Sequence, residues 1–397
     1  MTEPQDQHSD KPTESGPSKL RVVWEYLSLA LINATASGCH FGWAVLQSNA
    51  LSNGWASGST MAVAYIVGLL SYTVCGMLFS LFGVVQTLSR LSYAPAQLLF
   101  GIIFLVGIIF LCIGINACPP LVYPAQVLMC SAASMIYSAS YTLLGRLPRG
   151  TISITVGYSI STSIYQLTTI PVHPEIMLAV WAGLHFLVTI LNYMTFYEKQ
   201  ESEQRSVDSD PCSQTCKKIQ HSLVSPAVWI CSIIILLTIG NQSYFFQSLY
   251  QRLTVFDEKY HTMINLMLTL SQVCSMVAGL FHLLPMVYAN LVFAILLLTF
   301  GISLIVPPNL YVFIIMLFVM SISATGIIIS SMAITVQRTG LYESNALCFL
   351  GMIFGNIIGY ILTQFATWPY IDYIGGSLPI LACLLSIVLL VVVAKCS

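Results

Sequence analysis

Long apolar runs, broken by short turns at near-regular intervals, dominate the chain. Twelve stand out, at roughly 24–47, 60–86, 95–117, 121–145, 150–171, 175–197, 226–249, 261–281, 284–305, 309–337, 343–367 and 376–394. Each is close to or above the about 20 residues that a helix needs to cross a bilayer. Apolar and polar residues do not alternate within them, which excludes a barrel of strands, and helices are the other way to satisfy a backbone in lipid. The pattern predicts an all-α fold, a polytopic transmembrane helical bundle of eleven or twelve spans. The open points are the short gap between the eighth and ninth spans and the status of the last, 376–394.

One long polar interruption, 198–225, divides the spans six and six. The expected organisation is a disordered cytosolic tail at 1–23, a six-helix half at 24–197, a cytosolic loop at 198–225 and a C-terminal transmembrane half at 226–397. Residues 1–20 are polar and rich in Pro and Ser, unlike a signal peptide. Two halves joined in this way match transporters built from repeats. The turn "GRLPRG" (145–150) after the fourth span corresponds in position to "VQRTG" (336–340) after the tenth.

Composition sharpens this picture. Of the 397 residues 57% are hydrophobic and 7% charged, against about 25% charged in soluble domains. A net charge of −1 gives no global attraction to nucleic acid. Between Tyr26 and Tyr197 the charged residues are Arg90, Arg146, Arg149 and Glu175 alone. With a cytosolic N-terminus and alternating spans, the cytosolic side collects twelve of the 14 Lys and Arg residues, leaving Arg252 and Lys259 outside. Both termini are then cytosolic, and Arg146 and Arg149 sit in a cytosolic turn marked by Pro148 and Gly150.

Chemistry is sparse. Most of the 12 cysteines lie inside apolar runs, where a thiol behaves as a small buried hydrophobe. Cys212 and Cys216, with His221 nearby, are too loosely spaced for a metal site, and no cofactor is expected. No H-E-x-x-H, P-loop or G-x-S-x-G motif is present, so an enzyme is not expected. The glycosylation patterns "NAT" (33–35) and "NQS" (241–243) fall within a span and at the outer end of the seventh, and neither is expected to be used. No Asp or Glu lies in the middle of a span, which argues against proton or sodium coupling.

Several stretches carry a family likeness: "GCHFGWAVLQSN" (38–49), "SASYTLLGRLPRGTISITVGYS" (138–159), "VWICSIIILLTIGNQS" (228–243), "LPMVYANLVFAILLLTF" (284–300) and "ALCFLGMIFGNIIGYIL" (346–362). Together they resemble the equilibrative nucleoside transporters, a family with a major-facilitator-like bundle. The loop signature of the classical major facilitators is absent from "TLSRLSYA" (87–94) and "FHLLPM" (281–286). The resemblance implies a substrate site with an Asp and an Arg on the eighth span, but "HTMINLMLTLSQVCSMVAGLF" (261–281) has neither. It also implies a Gln on the fourth span, about where Tyr137 falls. With that site uncharged, the chain further resembles the multispanning envelope proteins of herpesviruses.

On the first span His40, Trp43, Gln47 and Ser48 share a helix face, which either lines a cavity or bonds to neighbouring helices. The candidate substrate-binding residues are His40, Trp43, Gln47, Tyr137, Gln166 and Gln272. His185 and Asn265 are single polar groups that neighbouring helices are expected to satisfy. Two functions remain in view. One is a viral membrane or envelope protein with a nucleoside-transporter-like fold, acting through other membrane proteins of the host or virion. The other is a facilitative carrier of nucleosides or another small neutral solute.

Overall fold

The computed structural model describes residues 19–43, 46, 58–81, 93–145, 147, 149–164, 174–197, 220, 223–253, 256–281, 283–305, 309–339, 344–365 and 370–395. The first six helices are α1 (Lys19–Ala36), α2 (Gly58–Leu81), α3 (Tyr93–Asn116), α4 (Val122–Ser140), α5 (Gly150–Thr162) and α6 (Pro174–Phe196). They are followed by α7 (Pro226–Leu253), α8 (His261–Cys274), α9 (Met286–Ile305), α10 (Leu310–Thr339), α11 (Asn345–Gln364) and α12 (Ile371–Lys395). Short 3-10 turns extend several of them: Pro119–Leu121 leads into α4, Tyr141–Gly145 follows it, and Ser275–Val277 carries α8 on to Ala278–Phe281. Among the described residues nine helices are long and apolar enough to cross a membrane. The chain is an integral, multi-pass membrane protein, and the last apolar run is a full helix.

Both halves use the same packing scheme. In the first, α1 packs on α5 and α6, α3 on α4 and α6, and α2 on α4. In the second, α7 packs on α11 and α12, α9 on α10 and α12, and α8 on α10. The halves meet through α2 against α11 and α5 against α8 and α10.

Lipid offers no hydrophobic drive for one apolar helix to leave it for another, so close backbone approach and interhelical hydrogen bonds do the joining. Glycine supplies the approach at the equivalent crossing in each half. A Cβ on Gly157 of α5 would fall on the carbonyl oxygen of Ala30 in α1, and 2.6 Å from Asn33 Cβ. On α11, a Cβ on Gly355 would lie 2.6 Å from the Leu236 oxygen of α7, and one on Gly359 2.5 Å from Ser243 Cβ.

Polar knots add direction. His185 of α6 bonds through Nδ1 to Thr35 Oγ1 of α1 (2.9 Å) and through Nε2 to the Gly101 oxygen of α3 (3.1 Å). Asn290 of α9 donates to Ser330 and Ser331 of α10 (both 2.9 Å) and accepts from Ser386 of α12 (3.0 Å). His185 is thus satisfied by its neighbours, as its isolation among apolar residues predicts; the Asn265 side chain lies outside the described residues.

Two details differ from the sequence reading. The seventh helix runs to Leu253, so Asn241 of "NQS" sits in mid-helix, buried, and donates to the Gly375 oxygen at 2.9 Å. Arg252 and Asp372 belong to the last turn of α7 and the first of α12 rather than to loops. They form an ion pair, reinforced by Tyr244, whose hydroxyl donates to Asp372 Oδ1 at 2.8 Å, and by Arg252 Nε donating to Ser248 Oγ at 3.0 Å. Arg149 is the exposed residue preceding α5, whereas Arg146 and Pro148 lie outside the described residues.

The glycine crossings yield a contrast. Gly355→Ala is expected to lower stability by about 1–3 kcal/mol, because the opposing atom is backbone and cannot swing away. Gly183→Ala on α6, where an added Cβ meets nothing within 4 Å, should be neutral or slightly stabilising. Thermal unfolding of the two purified variants in one detergent checks both.

Candidate functional site

The surfaces where the halves meet combine rings and hydroxyls. Tyr72 of α2 stacks on His40, with ring centroids 4.0 Å apart, and faces Phe349 of α11 at 6.3 Å. Tyr137 of α4 contacts Tyr141 and Tyr158 of α5, at 5.2 and 5.3 Å between centroids. The Tyr137 and Tyr141 hydroxyls share a 2.9 Å hydrogen bond. All of these side chains are buried.

Several buried hydroxyls of the N-terminal half have no hydrogen-bond partner, among them Tyr72 Oη and Oγ of Ser134, Ser138 and Ser159. A buried polar group left unmatched costs about 1–3 kcal/mol, so their arrangement needs a reason. Ser134 lies beside Gly76 and Phe349, since a Cβ on Gly76 would press on that ring and come within 2.5 Å of Ser134 Oγ. Ser138 is one turn further along the same face of α4. Ser159 shares the face of α5 that Ile152, seven residues earlier, presents to Gly279 across the interface.

Gln242 answers from the other half. On α7 Phe245 turns to Phe300 and Phe313 of α9 and α10, and Ser243 to Asn356 of α11. At about 100° per residue Gln242 stands between those two directions. Its Oε1 is buried and has no partner. No Asp, Glu, Lys or Arg belongs to this set. The grouping matches a neutral solute that stacks on rings and exchanges hydrogen bonds with hydroxyls and an amide.

The residues singled out from sequence fall into three groups. His40 and Tyr137 are in the cluster. Trp43 is buried, but its Nε1 donates to the Met61 oxygen of α2 at 3.1 Å, and Gln272 donates to Ser321 Oγ of α10 at 3.0 Å, so both make helix-to-helix bonds. Gln47 and Gln166 lie outside the described residues. So do Cys212, Cys216 and His221; among the described residues no group of three or more His, Cys, Asp or Glu forms a metal site. Tyr72, Tyr158, Ser134, Ser138 and Gln242 were not among the sequence candidates. A hydroxyl inside an apolar helix looks the same whether it bonds to its own backbone or faces a partner across the bundle.

No family profile matches the chain, and no curated protein matches it in sequence. Solved structures match it closely in shape. The Escherichia coli fucose:proton symporter FucP superposes with a TM-score of 0.66 at 11% identity, over 94% of this chain and 98% of FucP. The human organic anion transporter MFSD10 gives 0.60 at 15% identity, over 93% and 100%. The nucleoside transporter NupG gives 0.59 at 12% identity, over 92% and 99%. The fold is therefore that of the major-facilitator-type membrane transporters. These neighbours are transporters, and the likeness to herpesvirus envelope proteins gains no support from them.

Two substitutions separate an unmatched polar group from a matched one. Tyr72→Phe removes a buried hydroxyl that has no partner and should leave the thermal midpoint unchanged or slightly raised. His185→Leu removes the links from α6 to Thr35 Oγ1 and the Gly101 oxygen and should destabilise by about 1 kcal/mol, read from the same unfolding curves.

Proposed function

We propose that this protein is a facilitative carrier of a small, neutral, hydroxylated solute, with nucleosides the first class to test. The observation that carries the reading is the set of buried, unpartnered polar atoms, Tyr72 Oη and the serine hydroxyls in the N-terminal half and Gln242 Oε1 in the C-terminal half. Ring faces beside them offer stacking to a nucleobase or to the apolar face of a sugar. The absence of a mid-span carboxylate in the sequence favours uncoupled movement down a gradient. NupG, a nucleoside transporter, and FucP, a fucose:proton symporter, handle such solutes on a similar fold. In the same reading the N- and C-termini are cytosolic, on the Lys and Arg distribution.

A second reading keeps the fold without transport: a viral envelope or host-membrane protein acting through other membrane proteins. The absence of Asp, Glu, Lys and Arg from residues 261–281 favours it.

Uptake of radiolabelled uridine and adenosine by transporter-deficient cells, with surface expression verified, decides between them. The carrier reading expects saturable uptake that is indifferent to an imposed proton gradient. Tyr72→Phe and Gln242→Leu should each cut it at least tenfold while expression holds, the loss expected when one or two buried hydrogen bonds to substrate are removed. No uptake of any nucleoside or sugar by well-folded protein would favour the second reading.

A further inference from the structure

At the end of the C-terminal half where α9 begins and α10 and α12 finish, a groove of about 400 Å³ opens on the surface. Apolar side chains line it on two sides, Leu284 and Val287 on one and Leu390 and Val393 on the other, and polar groups make up the rest. A single charged residue, Arg338, lines it, beside Gln337. Arg338 Nη2 donates to the Val393 oxygen at 3.1 Å, which fixes the guanidinium against the last turn of α12. Lys395 follows immediately after the lining residue Ala394 and is exposed. A guanidinium thus stands where the cleft reaches the ends of membrane-spanning helices.

The rim points to what enters the cleft. Leu283, Leu284 and Tyr288 are 62%, 45% and 54% exposed, and Val391 on α12 is 47% exposed. In water such a surface would be costly, but at the edge of a bilayer it is continuous with the acyl chains. Tyr288 is the kind of amphipathic ring that belongs at headgroup depth. A guanidinium at that depth, above an apolar slot, complements a phosphate above an acyl chain.

We infer that this groove is a binding site for an anionic phospholipid, with the headgroup phosphate on Arg338 and one acyl chain lying between Leu284 and Leu390. A soluble phosphate would meet the same guanidinium but would leave the apolar walls unused. The Lys and Arg distribution puts this end of the bundle in the cytosolic leaflet, where anionic lipids carry the negative surface potential. The site stands apart from the surfaces between the halves and does not depend on the transport reading.

The test uses the full chain, purified, stripped of lipid and returned to nanodiscs of mixed phosphatidylglycerol and phosphatidylcholine with identical acyl chains. Native mass spectrometry then counts the lipids that stay bound. The expected result is an about fivefold preference for phosphatidylglycerol, the size associated with one cation at an anionic surface. Arg338→Gln should abolish the preference and Arg338→Lys should keep most of it, which separates the charge from a folding defect. Leu390→Trp, which fills the slot and leaves the charge, should also reduce it. Equal retention of the two lipids by the unmodified protein would overturn the assignment. So would a preference that survives Arg338→Gln, or one that millimolar inorganic phosphate displaces completely.

Discussion

A helix surrounded by lipid has already satisfied its backbone and already shed water from its apolar side chains, so it needs a different reason to adhere to a neighbour. In this protein the reason is close approach, concentrated at two equivalent crossings. Gly157 lets α5 press against α1, and Gly351, Gly355 and Gly359 let α11 press against α7. Because these crossings recur at matching places in the two halves, each half is built outward from a tight central pair. The bonds of His185 and Asn290 then fix the angle at which the outer helices join.

The junction between the halves follows another chemistry. Within each half, described polar side chains such as Asn33, Asn290 and Gln272 find partners on adjacent helices. Between the halves, rings meet rings and several hydroxyls find no protein partner. Unpartnered buried polar atoms also occur within the halves, at Gln97 Oε1, Asn192 Oδ1 and Asn241 Oδ1; what sets the junction apart is that its unpartnered groups are hydroxyls beside packed rings. That contrast, more than any single residue, makes the junction the candidate site.

Much of the fold is legible in the sequence because hydropathy reports the environment of a whole span. The twelve runs correspond to the twelve helices, including the last, which begins at Ile371 rather than 376. The early start was hidden because Asp372 looks like a loop residue until its partners Arg252 and Tyr244 on α7 are known. The site was harder to read. One-dimensional spacing put His40, Trp43 and Gln47 on a single face, yet the ring of Trp43 is committed to Met61 by a backbone oxygen that no pattern in the first span predicts. Gln272 was likewise drawn to Ser321, a residue 49 positions away. Tyr72 carries no local signal at all; its importance comes from lying opposite Phe349, in the other half of the chain. Burial is encoded locally in a membrane protein, whereas the partner of a polar group is encoded by topology.

The uncharged character of the junction has an electrical consequence. A membrane potential does work of about 2.3 kcal/mol on each elementary charge per 100 mV crossed. The described groups between the halves, rings, hydroxyls and the Gln242 amide, include no Asp, Glu, Lys or Arg. In the proposed facilitative carrier, rearrangement of these surfaces around a neutral guest would move no gating charge, and the voltage across the membrane would have nothing to grip. For such a carrier the equilibrium between the two sides would be left to concentration alone.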